Sequence, residues 1–295
     1  IEGAEILPNP NGSACGMFVE ADGKALAVFP GPPREMQPMF TSFVLPKLQK
    51  LAGGVLVRRR ILRVTGMGES AIDEAIAPIY RGYKDVQTSI LFSKSEVEIH
   101  LSAASTNEHQ ALAALDELSK KIADKLGVAV FATNGETMEQ VIAKLLTDRG
   151  ETVSTAESCT GGLIARRLTE LPGSSKFFME GAVTYSNEAK IRTLGVKQEI
   201  LDKFGAVSAE TAEAMAAGIR ERAKTDYAIA VTGIAGPDGG SEEKPVGLVW
   251  FSLADKNGAK ALKFVFPGDR YLVRWRSSQA ALDLLRRHLL GADDV

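Results

Sequence analysis

Histidine and cysteine are scarce in this sequence of 295 residues, which has three histidines and two cysteines. Cys15 and Cys159 do not suggest a disulfide framework, so we expect a reducing, cytoplasmic location. No CxxC or HExxH spacing occurs, which argues against a protein-ligated zinc site, and we expect neither metal nor cofactor. No histidine falls between residues 151 and 275. A serine–histidine mechanism is therefore disfavoured, unless His288 folds back from the last helix.

Strong charge and long apolar runs are also missing. A net charge of −2 and a pI near 6.1 give no electrostatic case for a nucleic-acid or anionic-membrane partner. No apolar run approaches the ~20 residues of a membrane span. We therefore expect a small-molecule substrate and neither of those partners. We expect no signal peptide and, since the chain opens on Ile1 rather than Met, a fragment or a processed form.

The length of the chain predicts two or three domains. A hairpin turned at Asp22-Gly23, a proline-rich turn and a helix ending near Lys50 make up the first block. Strand and helix patterns then alternate to about residue 132. Asn134-Gly135 begins a loop before a helix capped by Thr137 and is the next boundary. The predicted domains are residues 1–52, 53–133 and 134–295.

A polar, glycine-rich turn contains the first candidate for chemistry. Ser158, Cys159 and Thr160 precede Gly161-Gly162, between a predicted strand (151–156) and a predicted helix (163–168). Backbone N–H groups at such a turn can hold an anion or stabilise an oxyanion, and the turn presents two hydroxyls and a thiol. In the alternative interpretation, Ser158 or Thr160 simply caps the helix.

Lys190 is the second candidate. If Asn187 caps the helix that ends at Leu194, Lys190 lies in its first turn, where the helix dipole disfavours a cation. A lowered pKa is what a lysine needs to act as a base. The alternative is a solvated lysine, and the sequence alone does not separate the two.

Two further features lie nearer the C-terminus. The loop 232–240, rich in glycine, follows a buried strand, as ligand-binding loops in α/β sheets do, but it matches neither a P-loop nor a dinucleotide fingerprint. Arg270, Arg274 and Arg276 lie at the start of the last helix, where they could bind a phosphate together with the helix end. Ordinary surface arginines are the alternative.

The first two blocks resemble parts of the CinA family. The loop Asn9 to Gly16 and the turn Pro30-Gly31-Pro32-Pro33-Arg34-Glu35-Met36 are similar to the end of its molybdopterin-binding-like domain, which in the family is associated with ADP-ribose pyrophosphatase activity. The acidic metal-binding segment of that domain has no counterpart here. Residues 53–133 resemble the KH-like middle domain. Thr65 to Glu69 departs from the RNA-binding GXXG loop, so we expect a spacer or dimerisation role.

Four motifs carry a more specific resemblance. They are Ala156-Glu157-Ser158-Cys159-Thr160-Gly161-Gly162, Val183-Thr184-Tyr185-Ser186-Asn187 with Lys190, Val231 to Pro237, and Lys244-Pro245-Val246-Gly247. In this order they are similar to the CinA C-terminal domain, the nicotinamide mononucleotide deamidase (PncC-like) family. The resemblance implies an α/β fold: a C-terminal three-layer α/β domain, preceded by a small α+β KH-like domain and a remnant of an α/β molybdopterin-binding-like domain.

The same resemblance implies an activity, roles for individual residues and a homodimer. The reaction is hydrolysis of the carboxamide of nicotinamide mononucleotide, in pyridine nucleotide salvage. Ser158 is the nucleophile, Lys190 its base and Tyr185 an assisting hydroxyl near the leaving nitrogen. The residues predicted to bind substrate are Thr160, Gly161, Gly162, Gly233, Gly236, Arg270 and Arg274. The alternatives are an interaction protein linked to competence or DNA damage, with a degenerate site, and an ADP-ribose pyrophosphatase in a longer natural chain.

Overall fold

The computed structural model describes residues 1–93 and 95–292. The chain divides into two compact units, one of residues 1–58 and 102–115 and the other of residues 59–101 and 116–295. The strands are β1 (Glu5–Leu7), β2 (Gly16–Ala21), β3 (Lys24–Val28), β4 (Leu56–Thr65), β5 (Val86–Ser93), β6 (Glu96–Ser105), β7 (Val130–Ala132), β8 (Val153–Glu157), β9 (Phe178–Val183), β10 (Tyr227–Gly233), β11 (Leu248–Asp255) and β12 (Gly258–Val265). The domain boundaries given above stay predictions.

The helices follow the predicted pattern in most places. They are α1 (Pro33–Met39), α2 (Leu45–Leu51), α3 (Glu69–Tyr80), α4 (Glu108–Leu126), α5 (Met138–Arg149), α6 (Leu163–Thr169), α7 (Asn187–Leu194), α8 (Gln198–Phe204), α9 (Ala209–Ala223) and α10 (Arg270–Leu289). A π-helical turn, Phe40–Val44, joins α1 to α2. None of the helices within the described residues combines the length and apolarity needed to cross a bilayer.

Two small sheets belong to the first half of the chain. Strands β1, β2 and β3 form an antiparallel sheet in that order, and the predicted turn at Asp22-Gly23 is confirmed, with φ angles of 52° and 70°. Such left-handed angles at both central residues match the twist of a two-residue hairpin. A four-stranded sheet has the order β5-β6-β4-β7.

The candidate site lies on a five-stranded sheet with the order β12-β11-β10-β8-β9. Strand β8 pairs in parallel with both β9 and β10, whereas β11 and β12 are antiparallel additions. The carboxyl ends of β8, β9 and β10 therefore meet at one edge. This edge is where ligands bind in open α/β sheets.

Side chains of different size cover the two faces of this sheet. Ile229 and Val231 of β10 point into a core with α5, α6 and α10. Ala228 and Ala230, which alternate with them, point into a second core with α7, α8 and α9. Because successive residues of a strand face opposite sides, β10 is buried on both. The predicted three-layer α/β arrangement and the mixed α/β class of the chain are confirmed.

Short elements account for the differences from the predicted pattern. Neither β1, with three residues, nor α8, with seven, was expected. Helix α8 buries only Leu201, so its sequence has no repeating apolar stripe to reveal it. Helix α3 has Gly68 as its N-cap.

Candidate active site

Ser158 begins a tight turn directly after β8. We call residues 158–162 the nucleophile turn. The Ser158 N–H donates to the carbonyl of Val231 at 2.9 Å, which fixes the turn to the neighbouring strand, and the Gly161 N–H donates to the Ser158 carbonyl at 3.0 Å. Gly161 and Gly162 have φ angles of 60° and 88°, a region that favours glycine. The hydroxyl of Ser158 is thus presented at the carboxyl edge of the parallel strands.

Helix α6 is not capped by a hydroxyl of this turn. Its N-cap is Gly162, which has no side chain to offer. The carboxylate of Glu157 instead accepts hydrogen bonds from the N–H groups of Ile164 at 3.1 Å and Ala165 at 2.8 Å. The hydroxyl of Thr160 has no hydrogen-bond partner within the described residues. The alternative interpretation of Ser158 or Thr160 as the cap is therefore wrong.

Lys190 lies beside the nucleophile turn. Its side chain is 1% exposed, and Nζ lies 3.2 Å from Ser158 Oγ. Nζ also donates to the carbonyls of Thr184 at 2.9 Å and Tyr185 at 3.4 Å. The interpretation of Lys190 as a solvated surface lysine is wrong. Strand β9 and the first turn of α7 bring it to this position, because they end and begin at the same edge of the sheet as β8.

The predicted cap of α7 is displaced by one residue. Ser186, not Asn187, is the N-cap, and its hydroxyl accepts from the Ala189 N–H at 3.1 Å. Lys190 is then the fourth residue of the helix. The pKa of Lys190 is lowered, as predicted, but chiefly because burial disfavours its charged form, with the neighbouring Cys159 opposing the effect. Burial rather than the helix dipole is thus the main cause.

The surroundings of Nζ suit a neutral amine that accepts a proton. A neutral amine has two N–H donors and one lone pair. The carbonyls of Thr184 and Tyr185 can take both donors, which leaves the lone pair for the Ser158 hydroxyl. In the charged form, all three positions donate. The pair can therefore move a proton from Ser158 Oγ to Lys190 Nζ without rearranging.

Cys159 does not compete with Ser158 as the nucleophile. It is 5% exposed and packs into the core shared with α5, α6 and α10. Burial raises the pKa of its thiol to about 12. Since the thiolate is the reactive form of cysteine, Cys159 is inert at neutral pH.

Backbone amides of the nucleophile turn lie where an oxyanion could bind. The Gly161 N–H is engaged by the Ser158 carbonyl. The N–H groups of Cys159 and Thr160 lie against the Cys159 thiol. Within the described residues, the N–H of Gly162 has no hydrogen-bond acceptor. It lies in the same turn as Ser158, as an oxyanion hole beside that hydroxyl requires.

The two candidate arginines of α10 have different partners. Arg274 is half-buried and donates to the Thr160 carbonyl from Nη2 at 2.7 Å and from Nε at 3.3 Å. Arg270 is exposed and donates to the carbonyl of Gly236 at 2.9 Å and to the hydroxyl of Tyr185 at 3.0 Å. Arg274 therefore holds the nucleophile turn, whereas Arg270 connects the glycine-rich loop to Tyr185.

The start of α10 is less suited to a phosphate than predicted. Asp269 caps the helix, and its carboxylate accepts from the Leu272 N–H at 2.8 Å. A negative charge already occupies the end of the helix where an anion would bind. Arg276 is hydrogen-bonded to the carbonyl of Pro267.

The assigned role of Tyr185 stays a prediction. Its side chain is 58% exposed, and its hydroxyl accepts from Arg270. It is the backbone carbonyl of Tyr185, not the hydroxyl, that contacts Lys190.

The glycines of the loop 232–240 are required by close packing. A Cβ on Gly233 would come within 2.7 Å of the Leu248 carbonyl. Gly236 has a φ of 78°, and a Cβ there would lie 2.6 Å from Val246 Cγ1. The loop thus lies tightly against the start of β11, and the carbonyl of Gly236 faces Arg270. Binding of substrate by these glycines stays a prediction.

His288 does not reach Ser158. It lies 3.5 Å from Asp255 and packs against the ring of Tyr227 with a centroid distance of 5.5 Å. Tyr227 begins β10, while Val231, which pairs with Glu157, is four residues further on. At ~3.3 Å per residue, Tyr227 is well over 10 Å from the nucleophile turn.

No group of three or more His, Cys, Asp or Glu in the described part of the chain is placed to hold a metal ion.

Two contacts of the site were not predicted from the sequence. The capping of α6 by Glu157 could not be foreseen, because Glu157 lies five residues before the N-cap Gly162. The contact of Arg274 with the Thr160 carbonyl joins residues 114 positions apart. Neither contact leaves a local sequence signal.

A three-layer α/β domain with a buried serine–lysine pair at the carboxyl edge of its parallel strands defines the class of this protein. Residues 135–289 match the CinA C-terminal domain, and residues 59–132 match the damage-inducible protein CinA KH domain. The chain belongs to the CinA family.

Relatives of known family align in sequence with nearly the whole chain. It is similar to a CinA-like protein from Koribacter versatilis, at 44% identity over 294 residues that cover 98% of this chain and 71% of the relative. A CinA-like protein from Solibacter usitatus is also 44% identical, over 99% of this chain and 70% of the relative.

A solved structure matches about half of this chain over almost its own whole length. The competence damage-inducible protein A (ComA) from Klebsiella pneumoniae is 36% identical, with a TM-score of 0.51, and the match covers 52% of this chain and 98% of that one.

Proposed function

We propose that this protein hydrolyses the carboxamide of nicotinamide mononucleotide to nicotinate mononucleotide and ammonia, within pyridine nucleotide salvage. One observation carries the proposal: the 3.2 Å contact between Ser158 Oγ and Lys190 Nζ. A serine hydroxyl needs a proton acceptor within hydrogen-bond reach before it can attack an amide. Burial lowers the pKa of Lys190, so a larger fraction of the amine is neutral and able to accept that proton.

The proposed first half-reaction is acylation. Ser158 Oγ attacks the carboxamide carbon while its proton passes to Lys190 Nζ. The backbone N–H groups of Cys159, Thr160 and Gly162 stabilise the charge that develops on the carbonyl oxygen. Lys190 then donates the proton to the departing nitrogen, ammonia leaves, and an acyl-serine ester remains.

The proposed second half-reaction is hydrolysis of that ester. Lys190, again neutral, accepts a proton from water, which attacks the ester carbon. The bond to Ser158 Oγ breaks, the serine recovers its proton from Lys190, and the carboxylic acid product ionises as it leaves. Each step uses the same serine–lysine pair, so no further acid or base is needed.

Substrate recognition is also part of the proposal. Arg270 is exposed and already bonded to both Tyr185 and Gly236. We assign to it the 5′-phosphate, because a guanidinium can bind phosphate with two hydrogen bonds. Tyr185 would lie at the leaving nitrogen, in the role that the resemblance implies.

The test is release of ammonia from nicotinamide mononucleotide by the full chain, with Ser158→Ala as the matched blank. This variant removes one oxygen from a turn whose backbone hydrogen bonds stay intact. We expect the parent to release ammonia and the variant to be at least about 10³-fold slower. Equal rates would remove Ser158 from the mechanism. A parent that releases none would favour the interaction protein with a degenerate site.

A further inference from the structure

Glu157 is a buried carboxylate whose only described hydrogen bonds are to backbone. It is 1% exposed, and its two oxygens accept from the N–H groups of Ile164 and Ala165, in the first turn of α6. No lysine or arginine in the described part of the chain forms an ion pair with it. Burying a carboxylate is costly unless it is hydrogen-bonded, so this placement indicates a specific use.

The carboxylate closes the nucleophile turn into a ring. Strand β8 ends at Glu157, the turn runs through residues 158–162, and α6 returns to the Glu157 side chain. The backbone of Glu157 is held as well, because its carbonyl accepts from the Thr184 N–H at 2.8 Å. Both ends of the turn are thereby fixed to the residue immediately before the nucleophile.

This arrangement leaves the hydroxyls of the turn uncommitted. In most helices a serine or threonine at the start would accept from the first amides. Here Glu157 accepts from them, so Ser158 Oγ faces Lys190 Nζ instead. An alternative in which Ser158 turned to cap α6 would point its oxygen away from its base.

We propose that Glu157 is a positioning residue: its carboxylate caps α6 from the preceding strand and so holds Ser158 Oγ in reach of Lys190. The inference rests on the proposed function for the identity of the reaction, but not for the reactivity of Ser158. Glu157 does not touch the reacting atoms and needs no change of protonation to act.

The experiment compares Glu157→Gln with Thr137→Ala in the full chain. Gln keeps the shape but presents an NH₂ group to one of the two amides. Thr137 caps α5 of the same domain through a capping box with Gln140, so its loss is a matched removal of a cap away from the site. The loss of a single cap lowers Tm by about 2–4 °C in a domain of this size.

Two rates are measured for each variant. One is ammonia release from nicotinamide mononucleotide, as kcat and KM. The other is covalent labelling of Ser158 by a fluorophosphonate, located by mass spectrometry. In this labelling Ser158 Oγ bonds to phosphorus, fluoride leaves and the serine proton passes to Lys190, so no nucleotide is involved.

We expect Glu157→Gln to lower kcat and the labelling rate by a similar factor, about 10- to 100-fold, with KM within about threefold. The acidic limb of its pH–rate profile should stay that of the parent, because the base is unchanged. Thr137→Ala should change Tm but neither rate.

Glu157→Asp, one methylene shorter, keeps the carboxylate and should fall between the parent and Glu157→Gln. It also provides a folded variant if Glu157→Gln does not fold. Labelling and kcat within twofold of the parent in a folded Glu157→Gln variant would overturn the proposal, and so would the same result in Glu157→Asp where Glu157→Gln does not fold. If the parent labels but releases no ammonia, the proposed function fails while the labelling rates still decide the role of Glu157.

Discussion

A basic side chain lies beside a polar partner both at the carboxyl ends and at the amino ends of the parallel strands of the five-stranded sheet. We call these the Ser158 end and the His288 end. At the carboxyl ends of the parallel strands, Lys190 Nζ lies 3.2 Å from Ser158 Oγ. At the opposite ends, His288 Nε2 lies 3.5 Å from a carboxylate oxygen of Asp255. The Lys190 residue is 1% exposed, whereas the His288 side chain is 24% exposed.

The local backbone explains why we assign the proposed chemistry to the first end and not to the second. The carboxyl end of β8 leads through a turn into a helix, so backbone amides lie beside Ser158. The other end has a β-hairpin, in which Asp255 accepts from the N–H of Asn257 at 2.7 Å. A histidine–aspartate couple is a familiar sign of catalysis, but this one lies at the end of the sheet away from Ser158. Strand direction, rather than residue type, identifies the site.

The largest expected effect comes from changing the basic residue at each end. Lys190→Arg should lower kcat by at least about 10³-fold, because a guanidinium keeps its charge and cannot accept a proton. His288→Gln should leave kcat within about twofold. Both are measured by ammonia release, with circular dichroism to confirm folding. Robust activity in Lys190→Arg, or its loss in His288→Gln, would reverse the assignment of the two ends.

The pH dependence sharpens the same prediction. Burial lowers the pKa of Lys190 below its ordinary value near 10.5. In the proposed mechanism the neutral amine is the base, so kcat/KM should fall as the pH drops through this lowered pKa, and should be restored above it. His288→Gln should keep this acidic limb. If the limb disappeared with His288, the histidine would be the titrating base.

The placement of Ser158 beside Lys190 could be predicted from the sequence. Ser158 and Lys190 follow two strands that pair in parallel, and parallel strands bring their carboxyl ends together. The exact caps could not be predicted. Ser186 and Asn187 are adjacent and both are good caps, so composition does not choose between them. Glu157 caps from within a strand, and only the folded turn brings its side chain to α6.

A smaller effect separates the two arginines at the Ser158 end. Arg270→Ala should raise KM for nicotinamide mononucleotide by about 10- to 100-fold, because it removes the proposed phosphate contact. Arg274→Ala should chiefly lower kcat, because the Thr160 carbonyl loses both of its guanidinium hydrogen bonds. Nicotinamide riboside, which lacks the phosphate, is the control substrate.

Comparing kcat/KM for the riboside and the mononucleotide distinguishes the roles of the two arginines. Arg270→Ala should abolish most of the preference for the phosphorylated substrate, whereas Arg274→Ala should slow both substrates equally. An Arg274→Ala variant that loses the preference while keeping kcat would exchange the two roles.

The smallest expected effect on activity comes from removing the residues before 134, which contact α10 near His288. Arg286, two residues before His288, is 1% exposed and donates to the carbonyl of Val128 at 2.7 Å. Expression of residues 134–295 alone removes that carbonyl, the Glu96 carboxylate that accepts from Gln279, and Phe131 and Ala132 of the core, but no residue of the proposed site. Residues 135–289 match a single family domain, so we expect the segment to fold. These losses should lower Tm by more than about 5 °C, while kcat should stay within about threefold of the full chain. Thermal unfolding and ammonia release, measured side by side with the full chain, test both parts. A folded segment with kcat reduced more than tenfold would mean that residues before 134 shape the Ser158 end, and that the two ends of the sheet are not separable.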